Sequence, residues 1–499
     1  MKETSFPPVT VITVNFNGRK FLKDLFMSIH ALDYPAGLFR TIMVDNGSDD
    51  GSCEFVKENF PWVDIVRLER NAGYAGGNNA GIKKADGQYV ALINNDCTVD
   101  RSWLKELVKT ALSLDNGRLA AVSSKVLFFY KYLPVEILLE GAGRCKIFGI
   151  KIEAAGNDSD TGGSGNEGFA RSGTDPVNSI KFLSGCSCLA KEPDGRMSFY
   201  TGFYSLLGIP IPDTEKDTEV EFNILPGDLP DPDSLRIKII MKNISSEAPE
   251  VQSAEIRTAI DASDDAVVAQ FHKAGDYSVA GDGSLKAKFT VSRQLYVYAR
   301  DVINSCGIEI NRSFYARDRG SDNFDMGQFD RIEEIFSPSG SSLLINRKML
   351  EDTGLFDGRF FTYYEDVDIF WRARLAGWGC YFNPAAVARH YHCGTSVEWS
   401  YSFTYYVLRN RLLAIFRCGW PMLLLKSLSG FVISAFKNLI FWFFLILKGK
   451  RPERPDIKAR LKVFFDLFYL LPANSVSRLR IRAGARVKDS SIKKLLINF

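Results

Sequence analysis

The sequence predicts an α/β fold, a parallel sheet covered by helices, interrupted by an all-β insertion and followed by a helical tail. Three observations predict it. Short β-branched runs alternate with helical periodicity in the first part of the chain, short strands with turn signals fill the middle, and a long apolar stretch beside a basic cluster lies near the C-terminus.

Val9 to Val14 reads as the first strand and Lys20 to Leu32 as the helix that follows it. Thr41 to Val44, Val63 to Val66 and Tyr89 to Ile93 are three more strands, each separated by a helix or loop. Such alternation implies βαβ units, whose ligands bind beyond the carboxyl ends of the strands. Those ends carry Asn15-Phe16-Asn17-Gly18, Asp45-Asn46-Gly47-Ser48, Arg70-Asn71-Ala72-Gly73 and Asn94-Asn95-Asp96. Asn15 and Asn95 are accordingly expected at the ligand.

From residue 133 to residue 300 helical periodicity fades, and Gly, Ser, Asp and Pro separate alternating runs such as Glu219 to Leu225, Leu235 to Ile240 and Leu295 to Tyr298. This reads as a sandwich-like or barrel-like β domain inserted into the α/β domain, because Lys125 to Tyr130 before it and Val302 to Gly307 after it would join naturally. The expected organisation is an α/β half over 1–132, the β-rich insert over 133–300, a second α/β half over 301–400 and a helical, membrane-associating region over 401–499.

A formal net charge of +3 on 499 residues argues against a nucleic-acid partner. Nine cysteines without a paired C-x-x-C spacing fit free thiols in a reducing compartment. No apolar signal core precedes the first strand, so export is not expected. Gly430 to Leu447 is almost wholly apolar, holds Lys437 within it, and is followed by Lys448, Lys450, Arg451, Arg454, Lys458, Arg460 and Lys462. Three readings are open for it: one span of the bilayer, a helix in the cytoplasmic interface with its cations on anionic lipid, or a buried helix of the soluble fold.

The chemistry concentrates at a few places. Asp45 ends a strand ahead of a polar turn, either a simple Asx turn or an acceptor for a nucleobase N–H. Asn71, Gly73, Gly76, Gly77 and Asn78 lie at a strand-to-helix junction, where a lack of side chains lets backbone N–H groups approach a diphosphate or ribose. Asp96 closes the next strand and can bind a divalent cation, Mg²⁺ or Mn²⁺, that bridges diphosphate oxygens. His390 and His392 are candidate companions that would suit Mn²⁺, or else structural imidazoles. The run from Phe360 to Arg372 sets Glu365, Asp366 and Asp368 between aromatic clusters. Desolvated carboxylates are candidate proton acceptors, and acids also favour the first turn of a helix. Gly340 and Ser341 precede that run and are placed on the acceptor side. Trp371, Arg372 and Trp378 either meet sugar and phosphate or pack in the core, and Arg409 to Arg411 faces a diphosphate, a lipid-linked acceptor or solvent.

With these residues in order, the sequence resembles the inverting family 2 glycosyltransferases, especially the bacterial rhamnosyltransferase-like branch. The resemblance rests on Val11 to Gly18, Val44 to Ser48, Asn71 to Asn78, Leu92 to Asp96, Gly354 to Asp357 and Tyr364 to Asp368, and covers about residues 8–132 and 300–400. It implies a GT-A fold, the Rossmann-like fold of nucleotide-diphospho-sugar transferases. It also implies Asp45 as a contact to the nucleotide base, Asp96 as the metal-binding member of an Asp-x-Asp motif, Asp366 as catalytic base with Glu365 as the alternative, and His390 at the metal or diphosphate. Asn94 stands where that motif carries its first Asp.

The expected activity is transfer of a sugar from a nucleotide-diphosphate sugar to a hydroxyl of a glycan or lipid-linked saccharide in bacterial cell-surface polysaccharide synthesis. The expected place is the cytoplasmic face of the inner membrane, peripheral or monotopic. Two readings compete: a non-catalytic glycan-binding or assembly protein working through the insert, where Phe199 to Tyr204 could stack on sugars, and a nucleotidyltransferase, which does not call for the late carboxylate and histidine pair.

Overall fold

The structure, a computed structural model, describes residues 6–35, 37–114, 117–140, 145–154, 181–191, 197–211, 218–226, 236–241, 266–271, 278–279, 285–291, 293–391, 401–447 and 455–499. Five strands and four helices open it in alternation. They are β1 (Val9–Asn15), α1 (Arg19–His30), β2 (Phe39–Asp45), α2 (Ser52–Asn59), β3 (Val63–Arg67), α3 (Gly73–Ile82), β4 (Tyr89–Ile93), the short β5 (Cys97–Val99) and α4 (Trp103–Leu114). β6 (Leu119–Phe128) follows.

The sheet is mixed, which corrects the expectation of an all-parallel one. β1 lies parallel between β2 and β4, and β2 is parallel to β3. Beyond β4 the direction reverses: β20 (Ser342–Asn346) runs antiparallel to both β4 and β6. β6 then pairs in parallel with β21 (Gly379–His390), whose far edge carries β19 (Glu333–Glu334) and β5, both antiparallel. A local pattern of buried β-branched residues marks a strand without encoding its direction, which depends on the partner.

Two apolar layers cover this sheet. On one face Leu22, Phe26, Trp103 and Leu107 from α1 and α4 meet Val11 and Tyr89. On the other, Ile12, Val44 and Leu92 meet Met349 of α5 (Arg347–Thr353) and Ile369 and Phe370 of α6 (Glu365–Leu375). Gly77 and Gly81 bring α3 close to this face, since a Cβ on either would lie 2.5 Å from Val14 or 2.6 Å from Ile12.

Residues 133–300 carry β7 (Tyr132–Glu140), β8 (Cys145–Ala154), β9 (Lys181–Lys191), β10 (Met197–Pro210), β11 (Thr218–Pro226), β12 (Arg236–Met241), β13 (Ala266–Phe271), β14 (Ser278–Val279) and β15 (Leu285–Val291). Among the described residues these nine strands form one antiparallel hydrogen-bonded sheet. Phe199 to Tyr204 fall in β10, where only the strand pairing is described. Leu295 to Tyr298, expected as a strand, lie instead in a 3₁₀ turn over Arg293–Tyr298 that leads the chain back to the first sheet. There Tyr132 and Arg300 exchange backbone hydrogen bonds of 2.8 and 2.9 Å, and β16 (Ile303–Ser305) pairs antiparallel with β6. A small hairpin, β17 (Ile308–Ile310) and β18 (Ala316–Asp318), comes next.

The C-terminal helices are α7 (Tyr401–Cys418), α8 (Pro421–Leu447), α9 (Pro455–Ala483) and α10 (Asp489–Lys493). Leu413, Ile415 and Cys418 of α7 and Ile492 of α10 pack on Phe360, Trp371 and Leu375 in one buried cluster. The boundary expected at residue 400 therefore cuts a continuous core. Within α8, Pro421–Phe444 is long and apolar enough to cross a membrane by length and composition.

Candidate active site

The carboxyl ends of β1, β2 and β4 are laced together by amides. Asn95 donates from Nδ2 to Asn15 Oδ1 at 2.8 Å, and Asn15 donates from Nδ2 to Ser48 Oγ at 3.2 Å. Asn46 donates to Asn71 Oδ1 at 3.0 Å and to the Gly73 carbonyl at 3.1 Å, and accepts the Ala72 N–H at 2.9 Å. Asp45 is fully buried beneath this rim. Neither of its oxygens receives a hydrogen bond from the described residues, and Arg67 Nε stands 3.5 Å away. A buried carboxylate without donors is costly, and a ligand N–H would satisfy it.

The glycine-rich junction lies at the start of α3. The Gly73 N–H goes to Asn71 Oδ1 at 2.8 Å and the Ala75 N–H to the Phe361 carbonyl at 3.2 Å, so the protein itself caps this end of α3. A Cβ on Gly73 would meet Phe361, on Gly76 it would meet Ala72, and on Gly77 Val14. Asn78 is buried and donates to the Tyr74 carbonyl one turn back at 3.0 Å. Gly73, Gly76, Gly77 and Asn78 thus pack closely at this junction, and Asn15, buried with both amide groups engaged, braces the rim.

Across the cleft, β5 and β21 pair so that His390 lies opposite Cys97. His390 Nδ1 is 2.8 Å from Asn304 Oδ1, and its Nε2 is 3.1 Å from Asp96 Oδ1. In the tautomer with the proton on Nδ1, Nε2 can share a cation with Asp96, and an imidazole oriented by a carbonyl oxygen is a usual metal ligand. Cys97 Sγ lies within 4.8 Å of both, but burial pushes its thiol well above the ordinary range and keeps it protonated. His392 lies outside the described residues.

The carboxylates stand on a strained approach. Phe361, Tyr363 and Tyr364 have φ of +65°, +65° and +66°, a region that costs side-chain-bearing residues about 1 kcal/mol or more each. Asn410 of α7, fully buried, holds this loop by donating from Nδ2 to the carbonyls of Phe360, Thr362 and Tyr363 at 2.8, 2.8 and 2.7 Å. Arg409 donates to the carbonyls of Arg359 and Phe360, and Arg411 to that of Phe314. Neither arginine faces a diphosphate or solvent.

α6 then begins with Glu365 and Asp366. Asp366 accepts the Gly340 N–H at 3.1 Å on Oδ2 and the Val367 N–H at 2.7 Å on Oδ1, so it orders the helix start while facing the cleft. Burial raises its pKa, against the pull of those N–H groups. Glu365 is raised well above the ordinary range by burial and then by the charge of Asp366, and its Oε2 has no partner among the described residues. Tyr74 of α3 donates to the Gly340 carbonyl, and Ser341 accepts the Asn94 N–H at 3.0 Å, joining this side to the Asp96 turn.

Trp371 and Arg372 are corrected. Trp371 is fully buried and stacks on Phe314 at 3.7 Å. Arg372 bonds Asp368 Oδ2 at 2.9 Å and the carbonyls of Gly354 and Leu355 at 3.3 and 2.8 Å. Both point away from the cleft because the third turn of α6 faces the core. Trp378 is buried too, its Nε1 donating to Asp352 at 2.8 Å.

One residue escaped the sequence reading. Asp318, at the end of β18, lies beside the hydroxyls of Ser305 and Ser339 and within electrostatic reach of Asp366 and His390. Burial, countered by those hydroxyls and reinforced by the charge of Asp366, pushes it up to about 6. No motif surrounds it; only the fold brings it to the carboxylates.

Comparison with known proteins points the same way. The family model described as glycosyl transferase family 2 matches residues 10–130, and the one described as glycosyltransferase like family 2 matches residues 285–411. The glycosyltransferase AglE of Haloferax volcanii is 27% identical over 21% of this chain and 36% of its own length. A putative teichuronic acid biosynthesis glycosyltransferase, TuaG of Bacillus subtilis, is 31% identical over 23% of this chain and 45% of its own. The chain thus spans less than half of either relative. A solved mannosyltransferase from Pyrobaculum calidifontis, in complex with GDP-Man and Mn²⁺, aligns over 95% of this chain and 88% of its own at 11% identity and a TM-score of 0.37.

Proposed function

The chain belongs to glycosyl transferase family 2, and on that premise we propose that it is an inverting glycosyltransferase of GT-A fold, with the β-rich segment as an inserted domain, that moves a sugar from a nucleotide-diphosphate donor to a hydroxyl of a glycan or lipid-linked saccharide. The carrying observation is Asp366, held at the start of α6 by two backbone N–H groups, together with the contact between Asp96 and His390.

An acceptor hydroxyl attacks only as its proton leaves, and Asp366 is the group to take it. Its raised pKa strengthens it as a base, while the Gly340 and Val367 N–H groups favour its ionised form. Glu365, raised by burial and by the charge of Asp366, stands beside it as the alternative base. As the acceptor oxygen bonds to the anomeric carbon from one side, the bond to the diphosphate oxygen breaks on the other, and configuration inverts. Asp45 receives the N–H of the base. Asp96 and His390 would hold a divalent cation, Mn²⁺ or Mg²⁺, which when bound draws off charge developing on the leaving diphosphate. A glycosyl diphosphate leaves without a protonating acid, so a second carboxylic acid is unnecessary.

The test is nucleoside diphosphate release from a panel of UDP-, GDP- and dTDP-sugars with Mn²⁺ or Mg²⁺ and lipid-linked or glycan acceptors. Asp366→Asn is expected to lower kcat by a factor of about 10²–10⁴ with donor affinity retained. Full transfer by that variant would refute the base, and glycan binding without turnover of any donor would favour a non-catalytic protein. Separately, His390→Ala should weaken Mn²⁺ binding as read by calorimetry.

A further inference from the structure

We propose that α8 and α9 together form a docking surface for an anionic lipid bilayer, lying in its interface rather than crossing it. The inference goes beyond the transferase reading and does not depend on it.

A soluble helix normally turns its apolar stripe inward. These two helices turn a second stripe outward. On α8, Leu425 and Phe436 are each 63% exposed, with Val432, Ile440 and Phe443 beside them. At about 100° per residue these positions share an arc of roughly 80°, opposite Leu423, Ser427 and Phe431, which are buried. On α9, Phe465 is 68% and Tyr469 84% exposed, and with Leu461, Phe468 and Leu479 they share an arc of roughly 100°. Exposed apolar surface of this extent on adjoining helices marks an interaction site.

Charge identifies the occupant. Lys426 and Lys437 fall at one margin of the α8 stripe, so Lys437 borders the apolar face instead of interrupting it. α8 contains no Asp or Glu. On α9, Lys462 and Arg480 lie along one margin and Arg460 and Arg478 along the other, while Asp466 falls outside the stripe. Apolar stripes edged by cations and free of carboxylates match the boundary between acyl chains and anionic headgroups.

Geometry argues against a span. Phe431 packs with Tyr405, Leu412, Ala459 and Val463, so the first half of α8 is fixed to α7 and α9. Residues 432–447 beyond it extend about 24 Å, short of a hydrocarbon core of about 30 Å.

Co-sedimentation of the full chain, without donor, on vesicles of phosphatidylcholine alone and of phosphatidylcholine with phosphatidylglycerol tests this. Binding is expected on the anionic vesicles and should fall as salt rises. Lys426→Gln with Lys437→Gln should lower the anionic partition coefficient about tenfold or more. Phe465→Ser with Phe468→Ser should abolish binding with an unchanged circular dichroism spectrum, since both side chains are exposed. Absence of binding, equal binding to neutral vesicles, or resistance to alkaline carbonate extraction would overturn the proposal. So would dimerisation in mass photometry that the phenylalanine pair abolishes, because a second copy would then cover the face.

Discussion

Asp318 carries its charge at a cost to this fold. With a folded pKa of about 6 against an unfolded value near 4, the native state binds more protons than the unfolded chain between those pH values. Stability therefore falls as pH rises from about 4 to about 6, and the loss persists above that window. Asp318→Asn should remove it. At pH 7.5 the variant is expected to be more stable by about 1–2 kcal/mol, allowing for partial exposure of the carboxyl, and at pH 4 to match the parent. Urea titrations at the two pH values check this; a difference independent of pH would mean that the Asp318 charge is not the cause.

At the scale of elements, the loop before α6 and helix α7 act as a pair. The loop holds three left-handed residues, Phe361, Tyr363 and Tyr364, and the Asn410 amide binds the carbonyls of Phe360, Thr362 and Tyr363 within it. Asn410→Ala leaves buried acceptors unsatisfied, and a loss of about 1–3 kcal/mol in denaturant stability is expected. Because Asp366 follows the loop directly, kcat should fall more than donor affinity; an unchanged kcat would detach the clamp from the site. This clamp was invisible in the sequence, since its acceptors are backbone carbonyls, which have no signature. β1, β2 and β4 were legible because strands buried on both faces are rich in β-branched and apolar residues, and their polar ends stood out for the same reason. The glycines are ambiguous in sequence because close helix-to-strand packing and close ligand approach ask for the same residue. Asp96, His390 and the Glu365-Asp366 pair stood out by residue type and place, the role of Asp366 came from the family resemblance, and Asp318, on a three-residue strand, had neither signal.

For the whole molecule, the C-terminal helices are part of the core. Truncation after residue 400 would strip Phe360, Trp371 and Leu375 of their partners on α7 and α10. The truncated protein is expected to be insoluble or to lose its cooperative thermal transition, and a soluble, cooperatively melting fragment would contradict this. The β-rich segment stands in the opposite relation to the rest, because its two ends meet at Tyr132 and Arg300. Excising residues 134–298 and closing the gap with a short Gly-Ser linker should leave the melting transition cooperative, as differential scanning calorimetry would show. That doorway has a meaning for the lineage of this chain: a gap one ladder rung wide can be opened, filled and refilled by recombination without disturbing the machinery on either side, so the guest can change its allegiance while the host keeps its chemistry.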